Sequence, residues 1–389
     1  MAGLSNAPVD AVTLAQELIR RPSVTPKDAG AIPHLAKVLE GLGFACHLEE
    51  FSEPGTEPVL NLYARLGNAG RNFCFAGHMD VVPPGNREAW TGDPFSGTVS
   101  GDTLHGRGAA DMKGAIACFT AAASRFVARR GRDFGGSISL LITGDEEGPR
   151  INGTRKLLNW AAARGETLDA CIIGEPTNAR LIGDMIKIGR RGNIYVYITV
   201  EGVQGHTAYP HLADNAAHRI VGMLEALISA PLDDGTAHFQ PSTLQIASID
   251  IGNPTDNVIP GKARATVNIR FNDRWTTATI KEWVKERLDA AGGTYRLSFR
   301  ESCDAFLTPP GELSELLSRA AESVTGRKPE LSTTGGASDG CFIHPYCPIA
   351  EFGLVGLTMH KVDEQVPLAD MAALTKIYEA VLDRFFPAA

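Results

Sequence analysis

Short apolar runs alternate with stretches of helical periodicity along the first half of the chain. Residues 72–76 read as a strand, 115–128 as a helix, 137–143 as a strand, 154–163 as a helix and 170–173 as a strand. This alternation predicts an α/β fold: a largely parallel sheet with helices on both faces. Nearer the N-terminus, residues 9–19 are apolar but interrupted by Asp10, Gln16 and Glu17, and read as an amphipathic helix.

The pattern changes near Arg190. Over 193–201, Ile194, Val196, Ile198 and Val200 alternate with polar positions, the signature of a strand with one exposed face. A helix over 215–229 follows, then strands over 242–251 and 262–271, a helix over 276–290 and a strand over 294–300. The order is βαββαβ, the ferredoxin-like split unit. After Phe306 the first pattern resumes, with a helix over 312–323 and a strand over 349–352. The expected architecture is a catalytic domain over 1–189 and 303–389, interrupted by a smaller domain over 190–302.

Composition narrows the function. A chain of 389 residues is long enough for two domains. Its net charge of −8 argues against nucleic acid as the main partner, because binding phosphates needs a basic face. No basic segment followed by an apolar run opens the chain, so no signal peptide is expected. No stretch approaches the roughly 18 apolar residues of a membrane span. The seven cysteines are scattered and never spaced C-x-x-C, which suits reduced thiols in the cytoplasm. Any metal would be held by histidine and carboxylate.

Five polar sites follow predicted strands or lie near them, and open α/β sheets bind ligands at the carboxyl ends of their strands. His78 follows the strand 72–76. Its neutral imidazole can ligate a metal while Asp80 accepts the other ring N–H. Asp111 sits at a helix start, where an acid is ordinarily a cap; the glycines around it suit tight packing about the carboxylate. Asp145, Glu146 and Glu147 follow the strand 137–143. Three adjacent acids are ordinarily a solvated turn, yet neighbouring Glu side chains can divide labour, one on a metal and one carrying a proton. Glu175 follows the strand 170–173, and His360 lies beyond the strand 349–352. Two histidines and three carboxylates without thiolate suit zinc, manganese or cobalt. Five ligands exceed one open catalytic zinc and suit two metals about 3.5–4 Å apart sharing a carboxylate and a water. The other histidines (34, 47, 105, 211, 218, 238 and 344) read as structural. No G-x-x-x-x-G-K-[ST] phosphate cradle is present.

The segments 77–85 (GHMDVVPPG), 106–114 (GRGAADMKG), 143–148 (TGDEEG), 174–176 (GEP), 205–210 (GHTAYP) and 335–340 (GGASDG), in this order and spacing, resemble the co-catalytic zinc aminoacylase and carboxypeptidase superfamily over essentially the whole chain. The resemblance implies two Zn2+, with Co2+ or Mn2+ able to substitute. His78, Asp111 and Glu175 would hold one ion; Asp111, Glu147 and His360 would hold the other, with Asp111 bridging. Glu146 would be the general base, Asp80 would orient His78, and a cis peptide would follow Asp111. The inserted domain would mediate homodimerisation, and its His206 would reach the partner's site to stabilise the oxyanion. Arg190, Arg191, Arg270 and Asn257 would bind substrate carboxylates, which guanidinium forks match bidentately. The implied reaction is hydrolysis of a linear amide in a small substrate bearing several carboxylates. N-succinyl-LL-2,6-diaminopimelate comes first, with N-acetylornithine or a dipeptide as alternatives; neither nucleic acid nor membrane is an implied partner. Two positions depart from the family: Ala337 and Gly356 stand where it commonly has Thr and Asn, both polar substrate contacts.

Overall fold

The structure, a computed structural model, describes residues 8–387. The reading of the chain start over residues 1–7 lies outside them. Two compact units emerge. One holds the chain up to Ile188, Thr308–Ser332 and Phe342 onward; the other holds Gly189–Leu307 and Thr333–Cys341.

The first unit is built on an eight-stranded sheet. In spatial order its strands are Ala45–Phe51, Val59–Leu66, Ser137–Thr143, Asn72–His78, Ala170–Ile173, Ile349–Glu351, Met185–Lys187 and Glu330–Ser332. The four from Ser137–Thr143 to Ile349–Glu351 are mutually parallel, so the sheet is mostly parallel, as expected. Both central strands, Ser137–Thr143 and Asn72–His78, are buried along their whole length, because helices cover both faces. On one face Phe75 stacks on Phe119 at 4.3 Å between ring centres and meets Tyr378 edge-on at 5.6 Å. On the other, Tyr63 packs against Trp160 at 5.9 Å. Burying one such aromatic contributes about 1.5–3 kcal/mol. The helix Lys113–Arg130 is rich in alanine, and its small side chains let it lie against the helices Ala11–Ile19 and Leu368–Phe385.

The strand register sets up the site. His78 pairs with Thr143, Ala76 with Ile173 and Ile173 with Glu351. Four carboxyl ends therefore open on one edge of the sheet. Several elements went unread in the sequence: the helices Ala31–Leu42 and Leu368–Phe385, the antiparallel strands Ala45–Phe51 and Val59–Leu66, and the short strands Met185–Lys187 and Glu330–Ser332.

The second unit has the expected βαββαβ order. Its antiparallel sheet runs Thr243–Asp250, Lys262–Phe271, Gly192–Glu201, Tyr295–Cys303. Ile194, Val196, Ile198 and Val200 point into a core shared with the helices Ala216–Ile228 and Thr277–Ala291. Asn215 caps the first helix by accepting from Ala217 and His218 N–H, and Thr276 caps the second through Thr279 N–H. Among the described residues no helix is long and apolar enough to cross a membrane, and Cys46, Cys74, Cys118, Cys171 and Cys347 are free thiols.

Candidate metal centre

Each parallel strand leads to functional side chains at the shared edge. His78 ends its strand; Glu146 and Glu147 follow Thr143; Glu175 follows Ile173; the chain beyond Glu351 runs through a short 3-10 turn, Gly356–Thr358, to His360. Asp111 comes from the loop entering the helix Lys113–Arg130, and the Asp111–Met112 peptide is cis. The Met112 side chain needs room at the strand ends. A Cβ on Gly77 would lie 2.4 Å from the Met112 methyl, and one on Gly174 would lie 2.5 Å from the Phe75 ring and 2.7 Å from that methyl, so a side chain at either position would force these neighbours to shift.

Asp111 faces two histidines with two different oxygens. Its Oδ1 lies 3.0 Å from His78 Nε2, and its Oδ2 lies 3.3 Å from His360 Nε2. His360 Nε2 also lies 2.7 Å from Glu147 Oε1, and His78 Nε2 lies 3.7 Å from Glu175 Oε1. His78 Nδ1 donates to the Asp80 backbone carbonyl at 2.9 Å, so Nε2 is the ring nitrogen turned toward Asp111. The expected partner was the Asp80 carboxylate, but it stands 3.7 Å from the ring nitrogen. That carboxylate instead accepts the backbone N–H groups of Glu146 and Glu147 at 3.2 and 3.0 Å. Asp80 thus fixes His78 with its main chain and the acidic turn with its side chain.

Crowded carboxylates set the protonation. Burial alone would lower the His78 pKa, but the hydrogen bond and charge of Asp111, with Glu175 and Glu146 behind it, raise it well above the usual imidazole value. His360 is pushed up to about 10 by its hydrogen bonds to Asp111 and Glu147. Burial raises Asp111, yet the two imidazoles outweigh it and hold the carboxyl below its ordinary range. Burial lifts Asp80 to about 6 against the opposing pull of His78 and two peptide N–H groups. Protons on two histidines compensate the acids, and that is a place a cation can take.

Two sets of donors converge: His78, Asp111 and Glu147 in one, and His78, Glu146 and Glu175 in the other, each with its atoms within 4.8 Å of one another. Imidazole nitrogen and carboxylate oxygen without thiolate fit first-row divalent cations. The residues that could hold them are His78, Asp111, Glu146, Glu147 and Glu175, with His360 against Asp111 and Glu147.

A family model, peptidase family M20/M25/M40, matches residues 74–384. The chain belongs to that family. A succinyl-diaminopimelate desuccinylase of Rhodospirillum centenum is 58% identical to this M20 chain over 380 residues, covering 98% of each. A metallo-carboxypeptidase of the family from Sulfolobus solfataricus shares the fold at TM-score 0.80, with 17% identity and coverage of 97% and 99%. YXEP of Bacillus subtilis, described as a dinuclear metal-binding peptidase of family M20, superposes at TM-score 0.68, with 14% identity and coverage of 97% and 98%.

One layer around the M20 site escaped the sequence. Glu364 is wholly buried and accepts N–H groups of Gly108, Ala110 and Asp111 at 3.0, 2.8 and 3.1 Å. Arg107 pairs with it at 2.7 Å. The loop bearing Asp111 is thus wrapped around one acid. Glu364 lies four residues beyond His360 in a charged turn, where nothing in the spacing marks it.

The remaining site candidates belong to the inserted unit. His206 Nδ1 accepts the Ala208 N–H at 3.0 Å, which places the neutral ring's proton on Nε2. Thr207 N–H donates to the Asn257 carbonyl at 3.0 Å, so His206 and Asn257 share a two-stranded ribbon. Arg190 is buried and donates to the Thr334 carbonyl, while Gly335 leaves room for its guanidinium. Arg270 donates to Asn268 Oδ1 at 3.1 Å, and its charge, after burial, helps lower the pKa of Arg191. Of the two family departures, Gly356 has a local reason: an added Cβ would lie 2.9 Å from the Pro176 carbonyl.

Proposed function

We propose that this chain is a two-zinc amidohydrolase that converts N-succinyl-LL-2,6-diaminopimelate to succinate and LL-2,6-diaminopimelate, a step of lysine and diaminopimelate biosynthesis. One observation carries the metal chemistry: the Asp111 carboxylate is divided between His78 and His360, the placement a bridging ligand requires. In this reading His78, Asp111 and Glu175 hold one zinc, and Asp111, Glu147 and His360 hold the other; Co2+ or Mn2+ can substitute. The substrate assignment draws on the family motifs and on relatives of the same name at 54–58% identity.

Bound zinc supplies Lewis acidity, which polarises the amide carbonyl and makes water acidic near neutral pH. The chain's own residues do the rest. Glu146 takes the proton of the attacking water and delivers it to the departing amine. His206, with its proton on Nε2, would donate to the developing oxyanion in the partner subunit's site. Arg190, Asn257 and Arg270, with Arg191, receive the substrate carboxylates. The inserted unit supports a homodimer: Val221 and Ile228 on its helix Ala216–Ile228 and Ile249 on its edge strand are exposed apolar residues. The free thiols suit the cytoplasm.

Metal content and turnover of the purified protein test this together. We expect two zinc ions per chain and hydrolysis of N-succinyl-LL-2,6-diaminopimelate far above that of N-acetylornithine. Preference for acetylornithine would overturn the substrate; a metal-free protein with full activity would overturn the chemistry.

A further inference from the structure

Glu146 and Glu147 are adjacent, equally placed at a strand end, and both fall within metal-binding reach of His78. Proximity alone does not say which one ligates. A third residue distinguishes them. Arg150 donates through Nε to the Glu146 backbone carbonyl at 2.7 Å, and through its Nη2 to the Glu146 carboxylate. It makes an ion pair with Glu146, while Glu147 is engaged by His360.

The loop is built to keep Arg150 there. Asp145 Oδ2 accepts the N–H groups of Ile151 and Asn152 at 2.8 and 2.9 Å, folding the chain back immediately after Arg150. The Asn152 side chain donates to Thr56 Oγ1 and the Glu57 carbonyl at 2.8 and 2.9 Å. Between these anchors Arg150 adopts φ +61°, a left-handed conformation uncommon for any residue with a side chain and held here by the surrounding contacts.

The geometry points to Arg150 as a positioning residue that assigns roles to the two glutamates: its guanidinium holds the Glu146 carboxylate away from the cations as a proton carrier and leaves Glu147 as the ligand. This rests on the proposed two-metal reading. Guanidinium is the suitable group, because its fork satisfies a carboxylate and a carbonyl together and keeps its charge at every working pH.

The test uses full-length protein stripped with chelator and reloaded with Co2+, whose visible absorption reports coordination number. Wild type, Arg150→Ala, Arg150→Lys and Arg150→Ala/Glu146→Gln are compared. In Arg150→Ala the freed Glu146 joins the cation shell, so the Co2+ bands weaken, Co2+ binds tighter, and kcat falls about 10–100-fold with KM little changed. Adding Glu146→Gln returns the wild-type spectrum, and Arg150→Lys retains it. A wild-type spectrum and kcat in Arg150→Ala overturns the proposal, as does a change confined to KM, which would make Arg150 a substrate contact. Failure of wild type itself to take up two Co2+ per chain would overturn the metal reading and this inference with it.

Discussion

The Glu364 carboxylate accepts the Asp111 peptide N–H at 3.1 Å, in the same grasp that holds Gly108, Ala110 and the Arg107 guanidinium. Glu364→Ala leaves Arg107 charged and buried without its partner, and costs about 3–5 kcal/mol of stability. Because the loop it releases carries Asp111, metal affinity falls as well. Urea unfolding and metal titration of the stripped protein measure the two losses; an unchanged unfolding midpoint would contradict the wrapped-loop account.

Zinc added to the chelator-stripped protein releases protons. His78 is held protonated by Asp111, Glu175 and Glu146, and His360, pushed up to about 10, by Asp111 and Glu147; a cation competes with those protons for Nε2. Affinity therefore rises with pH and falls on acidification. Calorimetry in two buffers of different ionisation enthalpy counts the protons, and equal heats in both would refute the arrangement.

Glu146→Gln keeps the shape of the side chain and removes its basicity. The expected result is retention of both metals with turnover reduced about a hundredfold to ten-thousandfold. Wild-type rates in that variant would show that another group moves the proton.

Gly353→Ala acts on Glu175 through its backbone. An added Cβ would lie 2.2 Å from the Gly174 carbonyl and 2.4 Å from that of Glu175, and backbone cannot swing aside as a side chain does. A loss of about 1–3 kcal/mol is expected from overpacking, together with weaker metal binding. Intact metal stoichiometry and stability would mean that the backbone near Glu175 has slack.

Asp233 gives the inserted unit a defined acid sensitivity. Burial would raise its carboxyl, but the side chain and N–H of Ser242, the Gly235 N–H and the Trp275 indole outweigh it and hold it at about 2, below the ordinary 3.8. Its hydrogen bonds contribute fully above 3.8. As pH falls from there through about 2 the unfolded chain protonates first, and the contribution is lost. The stability gap between wild type and Asp233→Asn thus narrows across that window. Urea unfolding at neutral pH and again within the window checks it; a constant gap would be inconsistent with a depressed carboxyl.

His78, Glu147 and Glu175 were legible as candidates because each ends or follows a strand whose apolar run announces it. Arg107, Arg150 and Glu364 were not, since they act on backbone groups and on neighbours that no spacing rule connects. The strand Val59–Leu66 hid for a related reason. Asn61 and Arg65 break its apolar pattern, yet Asn61 donates to the Asn152 carbonyl at 2.9 Å and Arg65 pairs with Glu166, partners far along the chain. The helix Leu368–Phe385 is different: Met371, Leu374, Ile377, Tyr378 and Val381 form a regular buried stripe that was there to be read.

The strand Ile349–Glu351 lies between Ala170–Ile173 and Met185–Lys187, and it is made long after both of them. While the ribosome works through the intervening residues, Ala170–Ile173 presents a bare apolar edge of the kind that recruits foreign strands. The nascent chain must therefore be shielded until Ile349–Glu351 slots home, and proteins truncated before residue 349 should precipitate rather than persist as half-built enzymes.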